Sequence, residues 1–183
     1  LTMSGKSVLL IGADIRSPKV LDYLGITDQC INKYGVTEYL ISQDVSIDNI
    51  IIKKPAHYKF DVIYSGQIAP NPSELLMNGR FEDIVKYGKE HYDYVIVDTA
   101  PVSLVTDTLL IANQADITMY VVRANYLDKR MLAIPKDLYR ENRLKNMAMV
   151  INDVDFSKGY GYGYGYGDNH NSGGFFKNLF KRK

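Results

Sequence analysis

The sequence predicts an α/β fold, a mostly parallel sheet with helices on both faces, followed by a flexible C-terminal tail. Three observations carry this. Val8-Leu9-Leu10-Ile11 is a short unbroken apolar run, typical of a strand buried on both faces, and Tyr94-Val95-Ile96-Val97-Asp98 is the clearest strand. Stretches with apolar residues at helical spacing separate such runs. Near residue 153 the composition then shifts abruptly toward Gly and Tyr.

In chain order, residues 8–11 form the first strand and 61–64 a second, followed by a loop over 65–72. Ser73 is placed to cap a short helix running through Met77, with Glu74 in its first turn, where an acid meets the positive end of the helix. Phe81, Ile84, Val85 and Gly88 share one face, which predicts an amphipathic helix over 80–90. Residues 94–98 are the clearest strand; 105–112 read as helix, and 117–122 and 147–151 as strands. Between the last two, Leu127, Met131, Ile134 and Leu138 recur at helical spacing. Pro135 interrupts them, so a kink or two helical pieces are expected. Strands spaced by helices indicate a parallel sheet covered on both sides. The folded domain is expected over 1–152 and the tail over 153–183. Seven of the 14 glycines and four of the 15 tyrosines lie in that tail. Gly at every second position costs too much backbone entropy for a helix and leaves a strand with one bare face, so no packed structure is expected there.

The 183 residues suit one domain with a sizeable core plus a tail. With 22 Lys+Arg against 21 Asp+Glu the net charge is +1, which gives no electrostatic basis for broad nucleic-acid binding. The single Cys30 excludes an internal disulfide framework and suits a reducing compartment. His57, His91, His170 and Cys30 show no metal-ligand spacing. No apolar run approaches the roughly 18 residues of a spanning helix, and nothing resembles a signal peptide. The chain is therefore expected to be soluble, and its opening on Leu1 reads as a piece cut from a longer protein.

In open parallel sheets, ligands bind beyond the carboxyl ends of the strands. Two carboxylates stand there: Asp14, after Ile11-Gly12-Ala13, and Asp98, ending the strand over 94–98. A hard cation such as Mg²⁺ takes oxygen ligands, keeps several waters and bridges to phosphate. Two acids at one rim supply a metal shell and a proton acceptor. Taken singly, each is equally well a turn cap; together, with Thr99-Ala100-Pro101 following Asp98, they point to chemistry. Arg16 is placed to contact phosphate or to hold a carboxylate. Ser4-Gly5-Lys6-Ser7 has the look of a phosphate-cradling loop, but such a loop opens a helix, and here Ser7 runs straight into a strand. It reads as a turn, and no P-loop is present.

Leu10-Ile11-Gly12-Ala13-Asp14-Ile15-Arg16-Ser17-Pro18 resembles the Walker A′ motif of bacterial tyrosine kinases, and Val95-Ile96-Val97-Asp98-Thr99-Ala100-Pro101 resembles their Walker B motif. Residues 66–76, with Pro70-Asn71-Pro72-Ser73-Glu74-Leu75-Leu76, are similar to the signature of the intervening loop. The run from Tyr160 to Tyr166 is similar to the family's C-terminal tyrosine cluster. The resemblance implies a P-loop NTPase-like fold related to the MinD/ParA ATPases, and an ATP- and Mg²⁺-dependent kinase that phosphorylates tyrosines in a neighbouring subunit's tail within a homo-oligomeric ring. It implies as partners a membrane chain-length regulator of capsule and exopolysaccharide export, fused or separate, and a tyrosine phosphatase. The implied location is the cytoplasmic side of the inner membrane. Carried over, Asp98 and Asp14 would hold Mg²⁺ beside the nucleotide and share the catalytic chemistry, with Arg16 as the basic residue of A′. Asn152 would lie at an adenine-contacting position, and Tyr160, Tyr162, Tyr164 and Tyr166 would accept phosphate.

Two departures matter. Gly12 stands where the A′ pattern has its first Asp, leaving Asp14 to share that role. The Walker A segment is expected to lie upstream of Leu1. Its strand is central in the related sheet, so an unfilled slot between strands is expected, and residues 1–183 alone are expected to bind ATP poorly and not to turn over. The alternatives are a MinD/ParA-like ATPase switch, or a non-catalytic interaction module with a phosphorylatable tail. The tail's own charge gives a further expectation. Residues 157–183 carry Lys158, Lys177, Lys181, Arg182 and Lys183 against Asp168, a net +4. Four phosphotyrosines would bring this to roughly −2 to −4.

Overall fold

The computed structural model of the chain describes residues 1–27 and 33–155. Its strands are β1 (Val8–Gly12), β2 (Ile51–Ile52), β3 (Asp61–Ile63), β4 (Tyr94–Asp98), β5 (Thr118–Arg123) and β6 (Met147–Asn152). The helices are α1 (Val20–Leu24), α2 (Val36–Ile41), α3 (Ile47–Ile50), α4 (Pro72–Leu76), α5 (Arg80–His91), α6 (Asp107–Ile111) and α7 (Ala133–Arg140). Every strand read from the sequence is present within a residue or two of its expected bounds. Cys30, His170 and the four tail tyrosines lie outside the described residues.

The strands form two sheets, one in the order β2-β3-β1-β4 and one pairing β5 with β6. All pairings are parallel except that of β2, an antiparallel edge. Strand alternation places helices on both faces. Leu9 and Ile11 point into a core shared with Val36 of α2, Ile50 of α3 and Phe81 and Ile84 of α5. The intervening Leu10 packs on the opposite side, where Val20 of α1, Ile26, Val62 and Tyr64 form a smaller cluster. A third cluster holds Ala112, Leu138 and Leu144 beneath β5 and β6.

Among the described residues β4 and β5 make no ladder with each other, yet both line one cavity of about 650 Å³. Apolar side chains are left in the open on either side, Ile96 at 45% exposure and Val121 at 59%. The expected slot is there, between β4 and β5.

Two local expectations are corrected. Ser73 does not cap α4: Asn71 is the N-cap residue, Pro72 occupies the first turn, where it gives up no helical hydrogen bond, and Ser73 points elsewhere. The helix expected over 105–112 is shorter, α6 ending at Ile111 and passing into a 3₁₀ turn over Ala112–Gln114. Pro135 acts as anticipated. A 3₁₀ turn over Lys129–Leu132 precedes α7, which carries Pro135 in its first turn.

Candidate active site

The site is built at the carboxyl ends of β1 and β4. These strands are register partners from Val8 opposite Tyr94 to Gly12 opposite Asp98, and the Ala13 N–H donates to the Asp98 carbonyl at 2.7 Å. Asp14 follows two residues beyond Gly12, so both acids stand on one rim. Asp14 Oδ1 accepts the backbone N–H groups of Arg16 (3.1 Å) and Ser17 (3.0 Å), closing a tight turn that orients the carboxylate. Asp98 lies at the end of the cavity between β4 and β5. Desolvation by the cavity walls raises its affinity for a proton, and the Asp14 charge adds to the effect. The two carboxylates therefore feel each other.

Among the described residues no group of three or more His, Cys, Asp or Glu is placed to hold a metal ion. Two carboxylates suit a magnesium ion that keeps waters and shares phosphate oxygens, and not an all-protein cage, so this donor set fits the cation in that role.

Gly12 is buried against Ser65. A Cβ added there would lie 2.9 Å from Ser65 Oγ and 3.3 Å from its backbone nitrogen. Ser65, 1% exposed, donates its hydroxyl to the Gly12 carbonyl at 3.0 Å. The space an acid at position 12 would need is therefore filled by the loop that follows β3. In that loop Gly66 takes φ +83° against the Glu38 carboxylate, which accepts the N–H groups of Gly35 (2.7 Å) and Gln67 (2.9 Å).

Arg16 is not turned toward open solvent alone. Its guanidinium grips Asp107 through Nε (2.5 Å) and Nη2 (3.1 Å), and Nη2 also donates to Ser73 Oγ. Asp107 was not singled out from the sequence, since an Asp opening a helix carries no distinguishing signal of its own, and Ser73 was read as a helix cap and not as a partner of Arg16. Asn152 ends β6, on the far side of the gap from Asp98, and its side chain accepts the Asp153 N–H at 2.9 Å. Ser4-Gly5-Lys6-Ser7 lies at the opposite, amino end of β1. Gly5 closes a 3₁₀ turn, while Lys6 and Ser7 both bond Asp93, so the segment is a turn entering a strand.

No family model matches the chain. It is 31% identical over 151 residues to a putative tyrosine-protein kinase, AmsA, from Erwinia amylovora, covering 82% of this chain and 20% of that protein. It is 30% identical over 157 residues to the tyrosine-protein kinase CpsD of Streptococcus agalactiae serotype III, covering 86% of this chain and 66% of the relative. Among solved structures, the kinase domain of the Escherichia coli tyrosine kinase ETK superposes with a TM-score of 0.74 at 28% identity, over 92% of this chain and 63% of that domain. The chain thus spans about a fifth of the length of AmsA and about two thirds of the others.

Proposed function

The chain belongs to the bacterial tyrosine kinases and has their P-loop NTPase-like α/β fold, and from that premise we propose that it forms part of an ATP-dependent protein tyrosine kinase acting in capsule or exopolysaccharide synthesis and export. What supports this reading most is the juxtaposition of Asp14 and Asp98 at the ends of two paired parallel strands. Magnesium, when bound with ATP, neutralises charge on the transferring phosphoryl group. Asp98 and Asp14 would hold that ion through its water shell, and Asp14 would accept the proton that an acceptor tyrosine hydroxyl gives up when its oxygen takes the phosphoryl group and the nucleoside diphosphate leaves. With Gly12 in place of a further acid, Asp14 carries this task without a second carboxylate at position 12. Asn152, across the gap, would contact the base of the nucleotide.

The acceptors are Tyr160, Tyr162, Tyr164 and Tyr166, presented to a neighbouring subunit of a ring. A membrane chain-length regulator holds the domain at the cytoplasmic face of the inner membrane, and a tyrosine phosphatase resets the tail. Relatives carrying tyrosine-kinase names favour this reading over an ATPase switch or a non-catalytic module. The test is to incubate the protein, purified in the form its cell makes, with ATP and Mg²⁺ and to map phosphotyrosine by mass spectrometry. Phosphate on the tail cluster that disappears in Asp98→Asn is the expected result. ATP hydrolysis without phosphotyrosine would replace the kinase reading with the switch.

A further inference from the structure

Three loops leave the carboxyl ends of β1, β3 and β4, and one carboxylate ties them together. Asp107 is 3% exposed and opens α6, in the segment that follows β4. It accepts two hydrogen bonds from Arg16, in the loop after β1, and one at 2.8 Å from Ser73 Oγ, in α4 beyond β3. The Ser73 hydroxyl in turn accepts from Arg16 Nη2 at 3.1 Å, closing a three-membered ring of contacts. Two residues before Arg16 stands Asp14, whose carboxylate is oriented by the Arg16 and Ser17 N–H groups. The Ala69 N–H adds a second stitch, to the Ile15 carbonyl at 3.1 Å.

We propose that Asp107, with Ser73, is a positioning residue that holds Arg16 so that the Asp14 turn stands at a fixed separation from Asp98. The proposal rests on the reading of Asp14 and Asp98 as the reacting rim. A guanidinium engaged along its Nε–Nη2 edge by a buried carboxylate cannot swing to another anion without leaving that carboxylate desolvated and alone. The Arg16 bond holds Asp107 below the usual carboxylate range, against the opposing effect of burial, and the Ser73 hydroxyl assists, so the latch stays charged near neutrality. The latch also joins loops that no sheet hydrogen bond connects.

Amide hydrogen exchange on the ¹⁵N-labelled chain tests it, with Asp107→Asn and Ser73→Ala as variants. Asp107→Asn is expected to speed exchange of the Arg16, Ser17 and Ala69 amides by about tenfold, the loss of a charge-assisted contact, while Leu9 to Ile11 of β1 keep their protection. Ser73→Ala, which spares the ion pair, should give a smaller acceleration at the same three sites. If both variants leave those amides unchanged, or speed β1 equally, the latch is overturned, because a purely structural role loosens the domain as a whole. Mn²⁺, added as the probe ion and read by broadening of the 13–17 and Thr99 amides, separates the two readings. Local broadening that needs severalfold more Mn²⁺ in Asp107→Asn supports the latch. Absence of broadening in the unmodified chain overturns the rim as a cation site, while the exchange pattern still decides the latch.

Discussion

Replacing Gly12 by Asp, which would complete the acidic pattern of the A′ segment, should damage this protein instead of improving it. The first carbon of the new side chain would sit 2.9 Å from Ser65 Oγ, 3.3 Å from Ser65 N and 3.4 Å from Val20 Cγ2. Ser65 cannot retreat cheaply, since it is buried and its hydroxyl bonds the Gly12 carbonyl. Overpacking of this kind costs about 1–3 kcal/mol, so Gly12→Ala alone should lose about that much. The carboxylate of Asp adds desolvation, plus repulsion from Asp98 and Asp14, for about 2 kcal/mol more. Such a loss is a large share of a domain stability of about 5–15 kcal/mol. Urea unfolding followed by circular dichroism measures it. Gly12→Ala and Gly12→Asp should lower the midpoint in that order, and Ser65→Gly should recover about 1 kcal/mol or more of the Ala penalty in the double variant. The Asp penalty carries a sign in pH. A buried acid with a raised folded pKa costs stability at neutral pH, and that cost fades as the pH falls toward 4 and the group protonates. The reasoning fails if Gly12→Asp unfolds at the same urea concentration as the unmodified chain at pH 7, or if its penalty grows on acidification.

Other expectations follow from the same geometry. Asp98 binds its proton more tightly folded than unfolded, so its charge costs stability above the folded pKa and costs nothing once the pH is below the unfolded value. Asp98→Asn should therefore raise the melting temperature at pH 7 and leave it unchanged near pH 3, by calorimetry. At the opposite end of the sheet Asp61 is buried, yet bonds from the Tyr92 hydroxyl (2.7 Å), the Lys54 N–H (2.9 Å) and Lys53 outweigh that burial and hold its carboxyl below the usual range. Tyr92→Phe should cost about 1–2 kcal/mol at neutral pH in chemical unfolding, and less as the pH falls through the Asp61 titration. Among the described residues no glycine-rich loop opens a helix to cradle phosphates. Residues 1–183 alone should accordingly show ATP–Mg²⁺ binding too weak for saturation at millimolar nucleotide in calorimetric titration; tight binding would contradict it.

How much of this was legible in the sequence depends on the range over which each signal acts. Most strands were legible as short apolar runs, β1 because it is buried on both faces and β4 although its Tyr94 and Ile96 face stands half open, while the two-residue β2 was too short to read; α5 was legible because twelve residues give the helical period room to show. Helices α1, α2 and α3, of five, six and four residues, were not, although α4 and α6, of five residues each, were. Tertiary contacts define them instead: α2 is anchored by the Val36 and Thr37 N–H groups on the carbonyls of Tyr64 and Ser65. Asp14 and Asp98 could be placed on one rim because a strand end is a local feature with a general rule attached to it. Asp107 could not. Its meaning comes from Arg16, 91 residues away, and from Ser73, 34 residues away, and neither pairing leaves a trace in spacing.

That same helix explains how two sheets without a shared ladder keep a common rim. Ile111, at the end of α6, belongs to the main core beneath β1 and β4, and the next residue, Ala112, belongs to the cluster beneath β5 and β6. The start of α6 is fixed to the β1 side by Asp107 and Arg16, and Thr108 Oγ1 donates to the Ala100 carbonyl at 2.6 Å, fixing it to the segment leaving β4. Backbone pairing therefore sets the place of Asp98 relative to Gly12. The place of Asn152 relative to Asp98 is set by side-chain contacts, those of α6 and the Lys89–Asp116 ion pair between α5 and the segment entering β5 among them, and contacts of that kind yield more readily than a ladder.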